Sequence, residues 1–111
     1  MAIIEVKQDV FSQMGLGEAL GRARPGDEIL MAPGTSFIGN ITLNIPITLR
    51  AAQAGTASIR GRIEVQSTVL IEGISVLNPA GWAIWVHKNG SARIGQCDLS
   101  TDGAFGIVAL L

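Results

Sequence analysis

Short β-rich triplets recur along the chain from Ile29 onward, with apolar residues at their first and third positions. Four of them align at spacings of 22, 21 and 23 residues, namely Ile41-Thr42-Leu43, Ile63-Glu64-Val65, Ile84-Trp85-Val86 and Ile107-Val108-Ala109. Successive side chains of a strand alternate between two faces, so the outer residues of each triplet share one face and the middle residue lies on the other. A fixed interval of this kind predicts stacked structural repeats.

Two further series of triplets keep the same interval. The second contains Ile47-Thr48-Leu49, Val69-Leu70-Ile71 and Ala92-Arg93-Ile94, and the third contains Ile74-Ser75-Val76 and Cys97-Asp98-Leu99. The outer positions are apolar while the middle residues vary, which is the pattern of a strand with one buried face. A repeat of this length is too short for a βαβ unit of about 30 residues. The pattern predicts an all-β solenoid of about four coils over residues 27–111.

Apolar residues at helical spacing precede the coils. Leu16, Ala19, Leu20 and Ala23 follow the order i, i+3, i+4, i+7 and so line one face of a helix. We predict a helix over residues 12–24, with Ser12 as its N-cap and Pro25-Gly26 as its stop. Its three glycines each cost about 1 kcal/mol relative to alanine. The helix therefore needs tertiary packing, which one end of the stack can supply.

Several stretches of the chain are similar to known β-helix proteins. They are Leu16–Leu20, Ala23–Ile29, Ala32–Thr35, Pro46–Leu49, Leu70–Val76 and Ala92–Leu99. Together they resemble the N-terminal region of the pectate-lyase-like family. The resemblance implies a single-stranded right-handed parallel β-helix whose amphipathic helix closes the N-terminal mouth. That family contains polysaccharide lyases, hydrolases and esterases as well as non-catalytic coil modules, so the fold alone does not fix a function.

Composition narrows the range of partners. A chain of 111 residues suits one domain, 1–111, and a net charge of −1 gives no basic field for nucleic acid or an anionic membrane. Although 48% of residues are hydrophobic, no apolar run approaches the ~18 residues of a membrane span. The lone Cys97 cannot form an internal disulfide, and Glu5 stands where a signal peptide would be apolar. A cytoplasmic location follows as the default.

Paired carboxylates, which polysaccharide-cleaving members of the family carry on an outer sheet face, do not appear here. The outward column Thr42, Glu64, Trp85, Val108 holds one acid, and the column of Asp98 adds only Ser75. Asp98 and Asp102 could together approach a cation, although calcium takes six to eight oxygens. We therefore predict no catalytic residue, no cofactor and no metal ligand.

The other candidate residues each have an ordinary structural interpretation. His87 is expected in an exposed turn and Cys97 in the core as a small inward residue. Arg50, Arg60 and Arg62 are expected as solvated turn residues, with a grip on an anionic sugar as the alternative. Pro33-Gly34-Thr35 is expected to form a turn, since it lacks the lysine of a phosphate-binding loop.

The outward column becomes apolar toward the C-terminus, where the sequence ends in a strand pattern without a polar cap. Solenoids need a polar terminal repeat to stay soluble, so either the chain is a segment of a longer β-helix or its last coil stacks on another chain. Our hypothesis places Trp85, Val108, Leu110 and Leu111 at a homo-oligomer interface, with an isolated surface aromatic as the alternative for Trp85. The predicted function is a non-catalytic structural or interaction module. The alternative is a fragment of a carbohydrate-binding or polysaccharide-cleaving protein, a lyase or hydrolase.

Overall fold

The computed structural model describes residues 2–6, 16–78, 83–101 and 107–109. In chain order the elements are β1 (Ile3–Val6), α1 (Leu16–Arg22), β2 (Glu28–Met31), β3 (Ser36–Ile38), β4 (Ile41–Leu43), β5 (Thr48–Ala51), β6 (Ala57–Arg60), β7 (Ile63–Val65), β8 (Thr68–Glu72), β9 (Ile74–Asn78), β10 (Ile84–Val86), β11 (Ser91–Gly95), β12 (Asp98–Thr101) and β13 (Ile107–Ala109). The strands are short, as expected where the backbone turns a corner every few residues.

The described strands form three parallel sheets. The first sheet has the order β1-β2-β5-β8-β11, the second β3-β6-β9-β12 and the third β4-β7-β10-β13. Each strand pairs with its equivalent one coil earlier or later, and every such pair is parallel. This confirms the predicted all-β parallel solenoid of about four turns.

The register of the strands confirms the three series of triplets. In the third sheet Ile41 pairs with Ile63, Ile63 with Ile84, and Ile84 with Ile107. In the first sheet Leu49 and Ile94 both pair with Ile71. Apolar side chains therefore lie directly above one another, and each coil shields the inward residues of its neighbours from water.

The inward residues of all three sheets form one hydrophobic core. Its largest side chains have essentially no exposed surface, among them Ile29, Met31, Leu43, Leu49, Ile59, Ile63, Ile71, Ile74 and Ile84. Full burial of a side chain of this size contributes about 1.5–3 kcal/mol each. The repeated apolar position is thus the main source of stability in the stack.

The helix α1 packs against β1, and its residues Leu16 and Ala19 are buried in the same core. It ends at Arg22, two residues before the predicted end, and residues 12–15, including the expected N-cap Ser12, lie outside the described part. The strand β1 was not predicted, because Ile3–Val6 is separated from the coils by the helix and breaks their interval. The first sheet therefore includes one strand that precedes the helix.

The Asp27 carboxylate links the residue before β1 to the start of the first coil by hydrogen bonds. Its Oδ1 accepts a hydrogen bond from the Ala2 N–H at 2.9 Å, and its Oδ2 accepts one from the Arg24 N–H at 2.9 Å. These two bonds hold the pKa of Asp27 below its usual value of 3.8, because they favour the charged carboxylate. The bond from Ala2 has the larger effect on the pKa.

The corner between the first and second sheets requires left-handed backbone. Gly73 has φ +74° at this corner, and one coil later the same place is taken by Gln96 with φ +50°. A close approach occurs at Gly61, where φ is +152° and a Cβ would overlap the Gly39 carbonyl oxygen. These positions are fixed by backbone geometry more than by side-chain packing.

Candidate functional site

A group of five side chains lies on the outer face of the third sheet, and we refer to it as the Glu64 cluster. It consists of Thr42, Arg62, Glu64, Trp85 and His87. Thr42, Glu64 and Trp85 are the middle residues of β4, β7 and β10 and pair directly in the register. Arg62 lies two residues before Glu64 and His87 two residues after Trp85, so both fall on the same face.

The Glu64 carboxylate stands at the centre of this cluster. Its Oε1 lies 3.8 Å from Arg62 Nη1, and its Oε2 lies 3.5 Å from Thr42 Oγ1 and 4.0 Å from His87 Nε2. A charge-assisted hydrogen bond is typically shorter, at about 2.7–2.9 Å. The side chains of Glu64, Arg62 and His87 are between 27% and 30% exposed. The carboxylate is therefore partly shielded and surrounded by donors, without a short hydrogen bond to any of these three.

The Trp85 indole lies between two cationic or potentially cationic groups. The His87 ring stacks on it with centroids 4.8 Å apart and an interplanar angle of 12°. The Arg62 guanidinium carbon is 5.4 Å from the Trp85 ring centroid, within the range of a cation–π contact. Because Arg62 and His87 approach from opposite directions along the strands, they hold the indole in place. The result is a fixed aromatic surface bordered by polar groups.

The backbone also restrains the ends of the cluster. The Arg62 N–H donates to Asn40 Oδ1 at 2.9 Å, and the His87 N–H donates to the Val65 carbonyl at 2.8 Å. The Gly90 N–H then donates to the His87 carbonyl at 2.8 Å, which closes the turn that leads into β11. The cluster thus stands on paired backbone and not on a long loop.

His87 begins the turn that Gly90 closes, as expected, but it is half-buried and stacked on Trp85 where exposure was expected. Arg62 was likewise expected to be solvated and is instead within ion-pair distance of Glu64. The sequence pattern could have indicated both contacts. Side chains two positions apart in a strand lie on the same face, which places Arg62 beside Glu64 and His87 beside Trp85.

A second candidate is the final coil, by which we mean the three strands β11, β12 and β13. Each of these strands is the last of its sheet in the described part, so one of its edges has no described neighbour. Inward residues here are only partly buried, namely Ala92, Ile94 and Leu99. The residues that they pair with one coil earlier are buried: Val69 (3% exposed), Ile71 (0%) and Val76 (1%).

The structure describes only some of the predicted interface residues. Trp85 is half-buried in the Glu64 cluster, and Val108 pairs with it in the register. The side chain of Val108 and the whole of Leu110 and Leu111 lie outside the described part of the chain. Their interface role stays a prediction.

The remaining candidates are explained by local contacts. Cys97 is half-buried beside the core, with its Sγ 3.3 Å from the Gly95 carbonyl oxygen, as expected of an inward residue. Arg50 forms an ion pair with Glu28 at 3.0 Å, and Arg60 is exposed. Asp98 is exposed, and its suggested partner Asp102 lies outside the described residues.

Within the described ranges, no three or more His, Cys, Asp or Glu side chains gather in a way that could hold a metal ion. The same part of the chain contains no helix long and apolar enough to cross a membrane. No protein-family model, curated protein or solved structure matches this chain. The likeness to pectate-lyase-like proteins is therefore supported at the level of a parallel β-solenoid of about four turns.

Proposed function

We propose that this chain is a non-catalytic interaction module that associates with a second copy of itself through the final coil. The observation that carries the proposal is the change in burial between the last two coils. Ile94 and Leu99 are only partly buried, whereas their pairing partners Ile71 and Val76 are at most 1% exposed. An apolar interior that opens at one end, together with strand edges that can accept another strand, favours stacking.

The described residues at the opposite end of the stack differ, because a helix lies there against the core. There α1 packs on β1, and Val6, Leu16 and Leu43 are at most 1% exposed. Head-to-tail stacking would require this closed end to receive the open one. A symmetric pair that joins open end to open end needs only the final coil of each copy.

The size of the open face is compatible with a dimer. Successive paired Ile residues of the third sheet are 21 to 23 positions apart. A coil of this length at about 3.3 Å per residue encloses on the order of 400 Å² of cross-section. Two such faces with their surrounding side chains bury on the order of 1,000 Å², which is the lower end for a specific interface. We therefore expect a weak, concentration-dependent dimer.

Light scattering coupled to size-exclusion chromatography over a range of concentrations tests this proposal. We expect the mass to rise toward twice 11.6 kDa, and we expect Leu99→Lys to remove the rise by placing a charge in the interface. Ile38→Lys is the matched control, because Ile38 is 77% exposed in the first coil. Circular dichroism checks that both variants are folded. A constant monomer mass, or a Leu99→Lys variant that still dimerises, would overturn the proposal.

The Glu64 cluster favours a second candidate function, the binding of a saccharide. The carboxylate, guanidinium and imidazole groups of the cluster can hydrogen-bond to sugar hydroxyls or to a uronate carboxylate, and the Trp85 indole between His87 and Arg62 positions them. Glu64 is the single carboxylate of the cluster, and glycosidic cleavage requires two in most hydrolases. We therefore propose binding rather than cleavage.

Isothermal titration with neutral and uronate oligosaccharides tests this second candidate. Trp85→Ala should abolish binding and Glu64→Gln should weaken it, whereas Leu77→Ala, which changes an exposed apolar residue on another sheet, should leave it unaltered. Cleavage of uronate polymers with and without Ca²⁺ is measured in parallel. Binding that survives Trp85→Ala, or no binding to any of these sugars, would exclude the cluster as a saccharide site.

A further inference from the structure

Asn89 lies in the turn between β10 and β11 and is followed by a glycine. The chain has four asparagines, and the other three are followed by Ile41, Ile45 and Pro79. An asparagine side chain closes a five-membered succinimide ring when the backbone nitrogen of the next residue attacks its amide carbon. A β-branched isoleucine crowds that nitrogen and a proline has no N–H, whereas a glycine leaves the approach open. Among the asparagines of the chain, Asn89 therefore has the least hindered neighbour.

The turn exposes Asn89 but holds the nitrogen that would attack it. Asn89 is exposed, and the Gly90 N–H donates to the His87 carbonyl at 2.8 Å. The attack requires this N–H to give up its proton, so the hydrogen bond has to open first. A surface turn can open in this way without unfolding of the coils beside it. The rate of attack on Asn89 therefore depends on the opening of this turn.

We infer that Asn89 is a site of spontaneous conversion to isoaspartate. The Gly90 nitrogen loses its proton and forms a bond to the side-chain amide carbon of Asn89, and the amide group leaves with a proton as ammonia. Water then opens the succinimide at either of its two carbonyl carbons. One product is aspartate. The other is isoaspartate, in which the main chain runs through the side-chain carbons and is longer by one methylene group. Both products add one negative charge.

The longer main chain of isoaspartate does not fit the packing of Gly90. A Cβ on Gly90 would overlap the Val65 carbonyl oxygen, so Gly90 has no room to move toward β7. The same carbonyl accepts the His87 N–H at 2.8 Å, which fixes the start of the turn. An added methylene group therefore pushes Gly90 away from β7, together with Ser91, whose N–H donates to the Ser67 carbonyl at 3.0 Å. We expect the conversion to break this last bond and to weaken the pairing of β11 with β8.

Peptide mapping of the purified chain after incubation at mildly alkaline pH, folded and in urea, tests the site. Trypsin cleavage after Lys88 and Arg93 places Asn89 in a peptide without another asparagine, and the mass gained when an amide becomes a carboxyl marks its conversion. We expect Asn89 to convert before Asn40 and Asn44 in both states, and faster in urea, where the Gly90 N–H is released. Earlier conversion at Asn40 or Asn44, or an equal rate with and without urea, would overturn the inference.

The melting temperature and the amide hydrogen exchange of the isoaspartate form, separated by chromatography, test the structural consequence. Asn89→Gln is the control for incubation, because its longer side chain closes a ring far more slowly. Freshly purified Asn89→Asp carries the added charge without the added methylene group. We expect the isoaspartate form to melt below both variants and the amides of β11 to exchange faster than in either. An isoaspartate form that melts together with Asn89→Asp would show that the turn accommodates the longer chain, against this inference.

Discussion

Ile63 lies at the centre of the stack, and its replacement by alanine measures how much the repeated inward position contributes to stability. Its side chain is 0% exposed and lies between Ile41 on the coil before and Ile84 on the coil after. The change removes three buried carbons, which at about 0.8 kcal/mol each represent about 2.4 kcal/mol of transfer free energy. A cavity between two rigid coils adds to this, so we expect a loss of about 3–4 kcal/mol in the free energy of unfolding.

Urea denaturation followed by circular dichroism gives the measurement. The midpoint should fall while the slope m stays unchanged, because the same surface is exposed on unfolding. Ile38→Ala is the control: it makes the same chemical change in a strand of the same stack, but at a side chain that is 77% exposed. There we expect a loss below about 0.5 kcal/mol.

If Ile63→Ala proves too unstable to fold, Ile63→Val provides a graded test with an expected loss of about 0.5–1.5 kcal/mol. The reasoning would be refuted by a loss under about 1 kcal/mol for Ile63→Ala, or by equal losses at positions 63 and 38. Either result would mean that position 63 does not face a common interior.

Three further predictions concern the backbone and pH. Gly61→Ala should destabilise the fold by more than about 3 kcal/mol in urea titration, because its Cβ would overlap the Gly39 carbonyl. Gly17→Ala is the control: it lies in open space on the helix and should stabilise the fold by up to about 1 kcal/mol. The opposite order of the two stabilities would contradict this prediction. Gln96→Gly should raise the melting temperature, because glycine removes the roughly 1 kcal/mol cost of left-handed backbone; an unchanged or lower value would contradict this. Since the pKa of Asp27 is lowered in the folded state, its contribution is complete above its ordinary pKa and is lost as the pH falls through the lowered value. Acid titration of the wild type should therefore show a steeper loss of stability below about pH 4 than Asp27→Asn shows, and parallel curves would contradict the assignment.

The coils could be predicted from the sequence because each one repeats the same physical requirement. Ile41, Ile63, Ile84 and Ile107 recur at nearly constant spacing, and their pairing in one sheet follows directly. The strand β1 could not be predicted, because a four-residue apolar segment before a helix carries no interval to compare. Its place is set by its pairing with β2 and by the Asp27 hydrogen bonds.

The Glu64 cluster was only partly predictable. The opposition of Glu64 and Trp85 follows from the alignment of their triplets, and the alternation of a strand places Arg62 and His87 on the same face. The stacking of the two rings depends on rotamers and on local backbone hydrogen bonds, which a sequence pattern does not specify. The turn that begins at His87 could thus be predicted, whereas the stacking of its ring on Trp85 could not.

The constant separation of paired strands also has a kinetic consequence. Strands such as β4 and β7 are about one coil apart in sequence, so closing each successive coil costs nearly the same conformational entropy. No single long-range pairing dominates the barrier, and a nucleus of two coils can grow by adding one coil at a time. Because α1 packs on β1 at one end of the stack, we expect coils to be added from there toward β11, β12 and β13.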